Sequence, residues 1–316
     1  MSNNYTEATF IWGPADKVRL RERMDLPSFC LCGTGGGLPS LMQSFVAQGV
    51  RPIRTINRNG RATASVYEDD DAVYLLAAGI LPPDTSLPRE RQASDIFPEM
   101  EGLLAEADMT FQNVVRTWLY IDRVCEWYGG FNAARSAFFE SRNVFDTFLP
   151  ASTGIGSSNT DGAAITSGMF AMFPKTPNAC AEIVESPLQE PAMAYRSSFS
   201  RAAEISTSAT KQLFISGTAS IKPGSHDVAY VGDIVRQIDC TMTAVHAILD
   251  SRKFGWGDVS RAIVYLKDPS YRTAWQDWLA KNGLPTDFAA ETVCDVCRDE
   301  WLFEIEADAV KGVRRI

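Results

Sequence analysis

The residues best suited to acid catalysis stand near the end of the chain, in the run Phe303-Glu304-Ile305-Glu306-Ala307-Asp308-Ala309. Apolar and acidic residues alternate there, as they do in a β-strand whose two faces differ, because successive side chains point to opposite sides. The apolar set is expected to pack on helices. The strand pattern alone favours a solvated face for the acids. A carboxyl group in this row could donate a proton at neutral pH only if its pKa were raised from about 4.3.

Two observations single out Glu304 within this row. The matching strand of an earlier repeat, Ala164–Met172, has no acidic residue, so the two halves of the chain differ at this place. The segment Thr292–Arg298 precedes Glu304 by a short turn, and we expect it to run antiparallel beside the acidic strand. Cys297 and Arg298 would then bring a thiol and a guanidinium close to the Glu304 carboxyl.

The elements that must position these residues occur twice in the chain. The apolar run Val73–Ile80 is echoed by Gln212–Ala219, and Val115–Ile121 is echoed by Ser260–Leu266 with Arg and Tyr at matched places. A helical pattern of apolar residues follows each of these strands, and each half closes with two more strands. The chain is therefore predicted to contain two copies of a strand–helix–strand–helix–strand–strand unit of the α+β class. A Pro-rich linker over residues 174–198 is expected to join them.

Composition narrows the functional classes. The chain has 316 residues, 45% of them apolar, and a formal net charge of −9, which is typical of a globular protein with a large core and argues against a nucleic-acid or membrane-surface partner. The first ten residues lack a signal pattern, and no apolar run is long enough to span a membrane. The odd number of cysteines, seven, fits reduced thiols. We therefore expect a cytoplasmic protein.

A metal site is not expected. Cys294 and Cys297 have the CxxC spacing of a zinc site, but a second CxxC is missing from the sequence, and His226 and His246 are its only histidines. The same scarcity of histidine argues against a His-based hydrolytic triad.

Taken in order, several motifs resemble the chorismatase family, in which two units of the YjgF/RidA fold, a fold similar to chorismate mutase, follow each other in one chain. They are Leu149–Gly156, Ser198–Ala202, Leu213–Ile221, Val296–Glu300 and Phe303–Glu306. The resemblance implies a mixed sheet with helices on one face in each unit. Residues 1–172 would hold an N-terminal extension and a degenerate unit, and residues 173–316 the linker and a catalytic unit.

The resemblance also implies a reaction, the cleavage of the enolpyruvyl ether of chorismate with release of pyruvate and without a cofactor. Glu304 matches the family's catalytic carboxylate, which protonates the methylene carbon and leaves an oxocarbenium-like centre for attack by water or by the ring hydroxyl. We expect burial, together with the charge of Glu306 or of the substrate, to raise the pKa of Glu304 as this role requires.

The substrate implied by the resemblance is a small dianion, and bidentate arginines suit its carboxylates. Arg135 and Arg201 match the arginines that hold these carboxylates, although sequence alone would describe each as a solvated arginine. The other substrate-binding candidates are Tyr195, Arg298, Gly217, Thr218 and Ala219.

Cys297 bears on the product. It stands seven residues before Glu304, where the 3-hydroxybenzoate-forming branch of the family is similar in having Cys, so we expect 3-hydroxybenzoate in a secondary-metabolic role. The hydrolase branch, which yields a dihydroxycyclohexadiene carboxylate, remains the alternative. The stretch Ser186–Ser198 is shorter than its family counterpart, and Lys222–His226 replaces a commoner turn, so a modified chorismate is also open.

Two further functions stay open. An enamine or imine deaminase of the RidA type would need an arginine just before the penultimate strand, where this chain has Ala290-Glu291-Thr292-Val293. A non-catalytic metabolite-binding member would give no reason to keep Glu304, Arg201 and Arg135 together. By analogy with the family we expect a homo-oligomer, specifically a trimer.

Overall fold

The computed structural model describes residues 4–12, 26–32, 41–195, 197–225 and 227–313, and these ranges form three β-sheets. The N-terminal sheet contains β1 (Asn4–Trp12), β2 (Ser28–Cys32) and β3 (Leu41–Gln48). Strand β1 lies in its centre, antiparallel to β3 and parallel to β2.

The first of two six-stranded sheets follows, in the order β4-β5-β6-β10-β7-β8. Its elements are β4 (Arg51–Arg58), β5 (Arg61–Glu68), β6 (Ala72–Ile80), helix α1 (Arg89–Ala105), β7 (Val114–Ile121), helix α2 (Val124–Ser141), β8 (Ala151–Gly156) and β10 (Ile165–Pro174). The two-residue strand β9 (Ser158–Asn159) leaves this sheet to pair with β2. All neighbours in the six-stranded sheet are antiparallel except β7 and β8.

The second six-stranded sheet repeats this order as β11-β12-β13-β16-β14-β15. Its elements are β11 (Cys180–Val184), β12 (Ala202–Ser206), β13 (Thr210–Ala219), helix α3 (Ile234–Ser251), β14 (Val259–Leu266), helix α4 (Arg272–Lys281), β15 (Ala290–Val293) and β16 (Phe303–Gly312). Here too only the last pair, β14 and β15, is parallel. The predicted α+β fold of two tandem units, each a mixed sheet with helices on one face, is confirmed.

Hydrophobic packing explains how the layers stack. Apolar residues of one face of β16, among them Phe303 and Ile305, pack with the helices of the second unit, as the alternation predicts. A separate core joins the opposite faces of the two sheets and includes Trp118 and Phe170 from the first and Phe214 from the second. Because apolar area is buried on both faces, each sheet lies between its own helices and the other sheet.

Two sequence expectations about the extent of the units are wrong. Strand β4 lies in residues placed outside the repeat, and β11 lies in the segment expected to be a linker. Both are edge strands with several exposed side chains, so neither has the regular apolar pattern of a central strand. Strands β5 and β12 are also absent from the predicted repeat, so each unit has two more strands than the repeat predicts.

The expected antiparallel pairing of Thr292–Arg298 with the acidic strand is also wrong. Strand β15 pairs in parallel with β14, and β14 separates it from β16. Residues Cys297 and Arg298 belong to the loop between β15 and β16. Among the described helices none is both long and apolar enough to cross a membrane.

Candidate active site

The acidic row of β16 lies between the two sheets. Glu304, Glu306 and Asp308 expose 5%, 0% and 5% of their surface, so the solvated face expected from the strand pattern is wrong. The sequence pattern could not show this burial, because it arises from tertiary packing. The face of β16 opposite the helices is covered by the first unit's sheet. Ionised carboxylates at such depth are costly unless they are paired.

Arginines and a tryptophan compensate two of the three acids. Glu306 accepts hydrogen bonds from Arg116 Nη2 at 3.0 Å, from Trp118 Nε1 at 3.0 Å and from Arg261. Asp308 accepts one from Arg261 Nη1 at 2.7 Å. Burial alone would raise the pKa of Glu306, but Arg261 and Arg116 outweigh it and hold the pKa below its ordinary value. Glu306 is therefore an ionised carboxylate inside the protein.

Glu304 has the opposite electrostatic state. No group in the described ranges donates a hydrogen bond to its carboxyl. The Glu304 backbone on β16 lies in register with Ala219 of β13 and Tyr265 of β14. Burial, followed by the nearby charge of Glu306, raises its pKa to about 8, against smaller opposing effects of Arg116 and Arg201. The carboxyl is thus mostly protonated at neutral pH, in the direction expected from the sequence.

Gly217 makes room for this carboxyl. A Cβ placed on Gly217 would lie 2.1 Å from Glu304 Oε1 and 3.3 Å from Thr153 Cγ2, so no side chain fits there while Glu304 keeps its position. The register of β13 against β16 shifts between Ile215 and Thr218, which includes this glycine. The glycine is therefore required by a close approach, not by the end of a strand.

Glu304 faces a cavity that both units line. The first unit contributes Tyr128, Arg135, Ser152 and Gly154. The second contributes Arg201, Gly217, Ala219, Cys297 and Arg298, together with the aromatic residues Phe199 and Trp301. Glu304 and six of the other residues predicted from the sequence to act in catalysis or binding therefore surround one cavity.

The guanidinium groups of the cavity are held in defined places. Arg135 and Arg201 each expose only 2% of their surface. Arg135 donates to Asn132 Oδ1 at 2.6 Å, and Arg201 donates through Nε and Nη2 to the carbonyl of Glu190 at 3.0 and 2.8 Å. The ring of Phe199 lies under both guanidinium groups, 5.9 Å from Arg135 Cζ and 5.6 Å from Arg201 Cζ. Two cations thus share one small, polar pocket.

Cys297 is a neutral thiol beside the acid. Burial raises the pKa of Cys297 well above its usual value, and the charge of Glu304 adds to the shift, while a hydrogen bond with Tyr128 opposes it. Burial likewise raises the pKa of Tyr128 far above that of an ordinary phenol. Neither group is an ionised nucleophile at neutral pH, since both protons are retained.

Of the two remaining sequence candidates, one lies apart from the cavity lining and the other falls outside the described side chains. Thr218 is buried, and its hydroxyl donates to the carbonyl of Ser216 at 2.8 Å. Tyr195 ends a short 3-10 turn, Ala192–Tyr195, and its side chain is outside the described part of the protein. Among the described residues there is no group of three His, Cys, Asp or Glu side chains placed to hold a metal ion.

Comparisons with known proteins agree with this architecture. A solved structure described as a chorismatase is 16% identical, covers 98% of this chain and 98% of its own, and superposes with a TM-score of 0.73. The chain has the chorismatase fold. Residues 190–311 match the family model described as Endoribonuclease L-PSP. No curated protein matches the chain in sequence.

Single-unit proteins match part of the chain. The YjgF gene product of E. coli is 19% identical over 42% of this chain and 99% of its own, with a TM-score of 0.32. E. coli TdcF with bound serine is 18% identical over 41% of this chain and 98% of its own, with a TM-score of 0.33.

The structure places at the cavity, or behind it, several residues to which the sequence assigned no role. Tyr128 and Ser152 line the cavity, and Arg116 and Arg261 neutralise the row of acids behind Glu304. The two arginines stand at matched places of the repeat, in strands that are otherwise apolar. A charged residue kept twice in a buried strand is a signal that could have identified the pair. Tyr128 has no comparable signal, because it is one of many aromatic residues along α2.

Proposed function

We propose that this protein is a chorismatase, which cleaves the enolpyruvyl ether of chorismate by general acid catalysis. One observation carries the proposal: a buried, protonated Glu304 faces a cavity that also contains the guanidinium groups of Arg135, Arg201 and Arg298. A neutral carboxyl supplies a proton, and several arginines suit a substrate with two carboxylates. Few other reactions need both in one small site.

In the proposed reaction Glu304 transfers its proton to the methylene carbon of the enol ether. The C=C bond becomes a methyl group, and positive charge develops on the ether carbon as an oxocarbenium centre. The Glu304 carboxylate left behind stabilises that charge. Attack by water on the oxocarbenium carbon returns a proton to Glu304 and gives a hemiketal, whose bond to the ring oxygen breaks to release pyruvate. Attack by the ring hydroxyl likewise returns a proton, and pyruvate then leaves with that hydroxyl oxygen while a ring C–H proton moves to the oxygen that stays and the ring becomes aromatic. Conversion of chorismate to 3-hydroxybenzoate and pyruvate neither gains nor loses atoms, whereas the hydrolase reaction consumes one water. Apart from that water, the chain's own residues supply every group that either reaction needs.

Substrate binding is assigned to the arginines. Arg135 and Arg201 are already desolvated and are held against the Phe199 ring, so they lose little freedom when they bind a carboxylate. A carboxylate at Arg201 would replace the Glu190 carbonyl as acceptor, and a charged acceptor makes the stronger hydrogen bond. Arg298, whose guanidinium lies 5.1 Å from the centre of the Trp301 ring, would contribute at the loop side.

For the product we propose 3-hydroxybenzoate. Cys297 and Tyr128 form an uncharged, weakly hydrated wall beside Glu304, and such a wall disfavours a water molecule as the nucleophile. Attack by the ring hydroxyl of the substrate itself then competes better. The same cavity with a water in place would give the dihydroxycyclohexadiene carboxylate.

The test is incubation of the purified protein with chorismate, with pyruvate measured by a coupled assay and the ring product identified by mass. Pyruvate and 3-hydroxybenzoate in equal amounts are expected. A product heavier by one water would assign the hydrolase reaction instead. The absence of pyruvate would overturn the proposal, and ammonia released from an iminopyruvate substrate would then indicate a RidA-type deaminase.

A further inference from the structure

Thr153 lies at the point where the two units meet behind Glu304. It belongs to β8 of the first unit and is buried, and its side chain is not part of the cavity lining. Its hydroxyl oxygen accepts hydrogen bonds from the backbone N–H of Gly217 at 3.1 Å and from Arg116 Nη2 at 2.5 Å. The same Arg116 Nη2 also donates to Glu306 Oε2 at 3.0 Å. The Thr153 hydroxyl thus contacts residues of two other strands and is linked to Glu306 through Arg116.

The contact with Gly217 reaches the Glu304 carboxyl directly. The space beside Gly217 is bounded by both residues, because a Cβ at Gly217 would be 3.3 Å from Thr153 Cγ2 and 2.1 Å from Glu304 Oε1. The backbone of β13 here departs from regular pairing with β16. A hydrogen bond from the irregular residue to a fixed hydroxyl therefore sets the depth of the space that the carboxyl occupies.

The contact between Thr153 and Arg116 affects the same carboxyl through charge. Arg116 Nη2 donates both to Thr153 and to Glu306 Oε2, and Glu306 is the ionised neighbour of Glu304 on β16. The charged and titratable groups around Glu304 come from its own strand, from the neighbouring strand β14, from the first unit, and from residues before β12 and between β15 and β16. They are Glu306, Tyr265, Arg116, Tyr128, Arg135, Arg201, Cys294, Cys297 and Arg298.

We propose that Thr153 is a positioning residue, supplied by the first unit, whose hydroxyl holds Gly217 directly and Glu306 through Arg116, so that the Glu304 carboxyl stays at its reacting place. This inference rests on the proposed function, since it assigns a role relative to the acid. It does not make Thr153 a catalytic residue, because its side chain does not face the cavity.

The test compares Thr153→Val with Thr153→Ser. Valine keeps the shape but removes the acceptor of the Gly217 N–H and one of the two acceptors of Arg116 Nη2. We therefore expect kcat for pyruvate release to fall roughly 10- to 100-fold, as small misplacements of reacting groups do. KM should change less than threefold, because the arginines of the cavity are untouched. Serine keeps the hydroxyl, and we expect it to restore kcat to within about threefold of wild type.

Thr241→Val is the matched control. Thr241 is buried in α3, and its hydroxyl has no hydrogen-bond partner in the described protein, so the same substitution removes no connection. Equal loss of kcat in the Thr241 and Thr153 valine variants would reduce the effect to general damage and overturn the proposal. Wild-type kcat in Thr153→Val would overturn it as well.

The pH profile separates positioning from simple loss of structure. In the wild type, kcat is expected to fall as the pH rises through about 8, where Glu304 loses its proton. A carboxyl released from its place in Thr153→Val becomes better solvated, so this fall should move to lower pH. An unchanged profile in an impaired variant contradicts the proposal.

If wild-type protein releases no pyruvate, the proposed function has failed. The role of Thr153 is then read from the Glu304 carboxyl titration by carbon NMR, which should still shift in Thr153→Val.

Discussion

The two units use the same strand positions for opposite purposes. Ile80 pairs with Ser167 in the first unit as Thr218 pairs with Ile305 in the second, so Thr166 is the counterpart of Glu304 and Gly79 the counterpart of Gly217. The Thr166 hydroxyl only donates to the carbonyl of Ile80 at 3.1 Å. One unit thus carries an acid where the other carries a locally satisfied hydroxyl.

The space in front of the two glycines is filled differently. A Cβ on Gly217 would meet the Glu304 carboxyl, whereas a Cβ on Gly79 would lie 2.2 Å from the backbone oxygen of Ser28 in β2. Gly168, the counterpart of Glu306, faces the ring of Phe29 from the same strand, with its Cβ position 2.3 Å from Phe29 Cζ. The N-terminal sheet therefore fills the first unit's cleft, and the second unit's cleft keeps its acid and its cavity.

The difference does not make the first unit a passive support. It provides Tyr128 and Arg135 to the cavity and Arg116 and Thr153 to the layer behind Glu304. Duplication has thus separated two tasks, with the acid on one unit and much of its surroundings on the other. Variants at matched positions can break or sharpen this comparison.

The largest effect is expected at Glu304. Glu304→Gln removes the proton donor while keeping the shape, so kcat for pyruvate release should fall by roughly 10²- to 10⁴-fold with little change in KM. Thr166→Val, at the matched position of the first unit, should keep kcat within about threefold of wild type. Steady-state kinetics with chorismate measures both, and full turnover by the Gln variant would remove Glu304 from the mechanism.

Alanine at Gly217 is expected to reduce mainly activity, whereas alanine at the matched Gly79 is expected to reduce mainly stability. In Gly217→Ala the new methyl group meets the end of a flexible side chain, so the Glu304 carboxyl rotates away and kcat falls roughly 10- to 100-fold with a small loss of stability. In Gly79→Ala the methyl group meets backbone, and φ is +69°, so the unfolding free energy should drop by about 1–3 kcal/mol. Steady-state kinetics and urea denaturation of both variants test this difference. If both variants lose mainly kcat, or both lose mainly unfolding free energy, the expected difference between the two glycines is wrong.

A smaller effect, on binding, is expected at the cavity arginines. Arg201→Lys keeps the positive charge but loses the planar fork that now holds the Glu190 carbonyl, so KM should rise about 10-fold while kcat changes less. Arg252→Lys is a suitable control, because Arg252 pairs with Glu204 and Glu182 away from the cavity. Isothermal titration with a non-reacting dicarboxylate analogue would confirm that affinity is the property affected. Unchanged KM would exclude Arg201 from carboxylate binding.

An effect of a different kind is expected on the pH dependence of stability. The pKa of Glu304 is about 8 in the folded protein and near 4.3 in an unfolded chain, so between these values the folded state holds the extra proton. The unfolding free energy therefore decreases as the pH rises from about 5 to 8, by at most about 1.4 kcal/mol per pH unit from this group. Urea denaturation across that range should show this decrease in wild type relative to Glu304→Gln. Parallel curves would contradict the raised pKa.

Much of the architecture could be predicted from the sequence because it depends on local pattern. The apolar runs ending at Gly79 and Gly217, and the helices after them, repeat with enough regularity to predict two units. The edge strands β4 and β11 could not be predicted, since exposed edges carry no regular periodicity. The pairing of β15 was also misjudged, because closeness in sequence to β16 does not determine which strand lies between them.

The sequence by itself determined which side chains share a face. It also placed an acidic residue at the Glu304 position of the second unit, where the first unit has Thr166. Alternation along β16 assigns Glu304, Glu306 and Asp308 to one side, whatever covers that side. Only the tertiary structure decided that the first unit's sheet covers it, and that Arg116 and Arg261 ionise Glu306 while Glu304 stays protonated. The physical reason is that a pKa depends on burial and on neighbouring charges, which here belong to strands far apart in the chain.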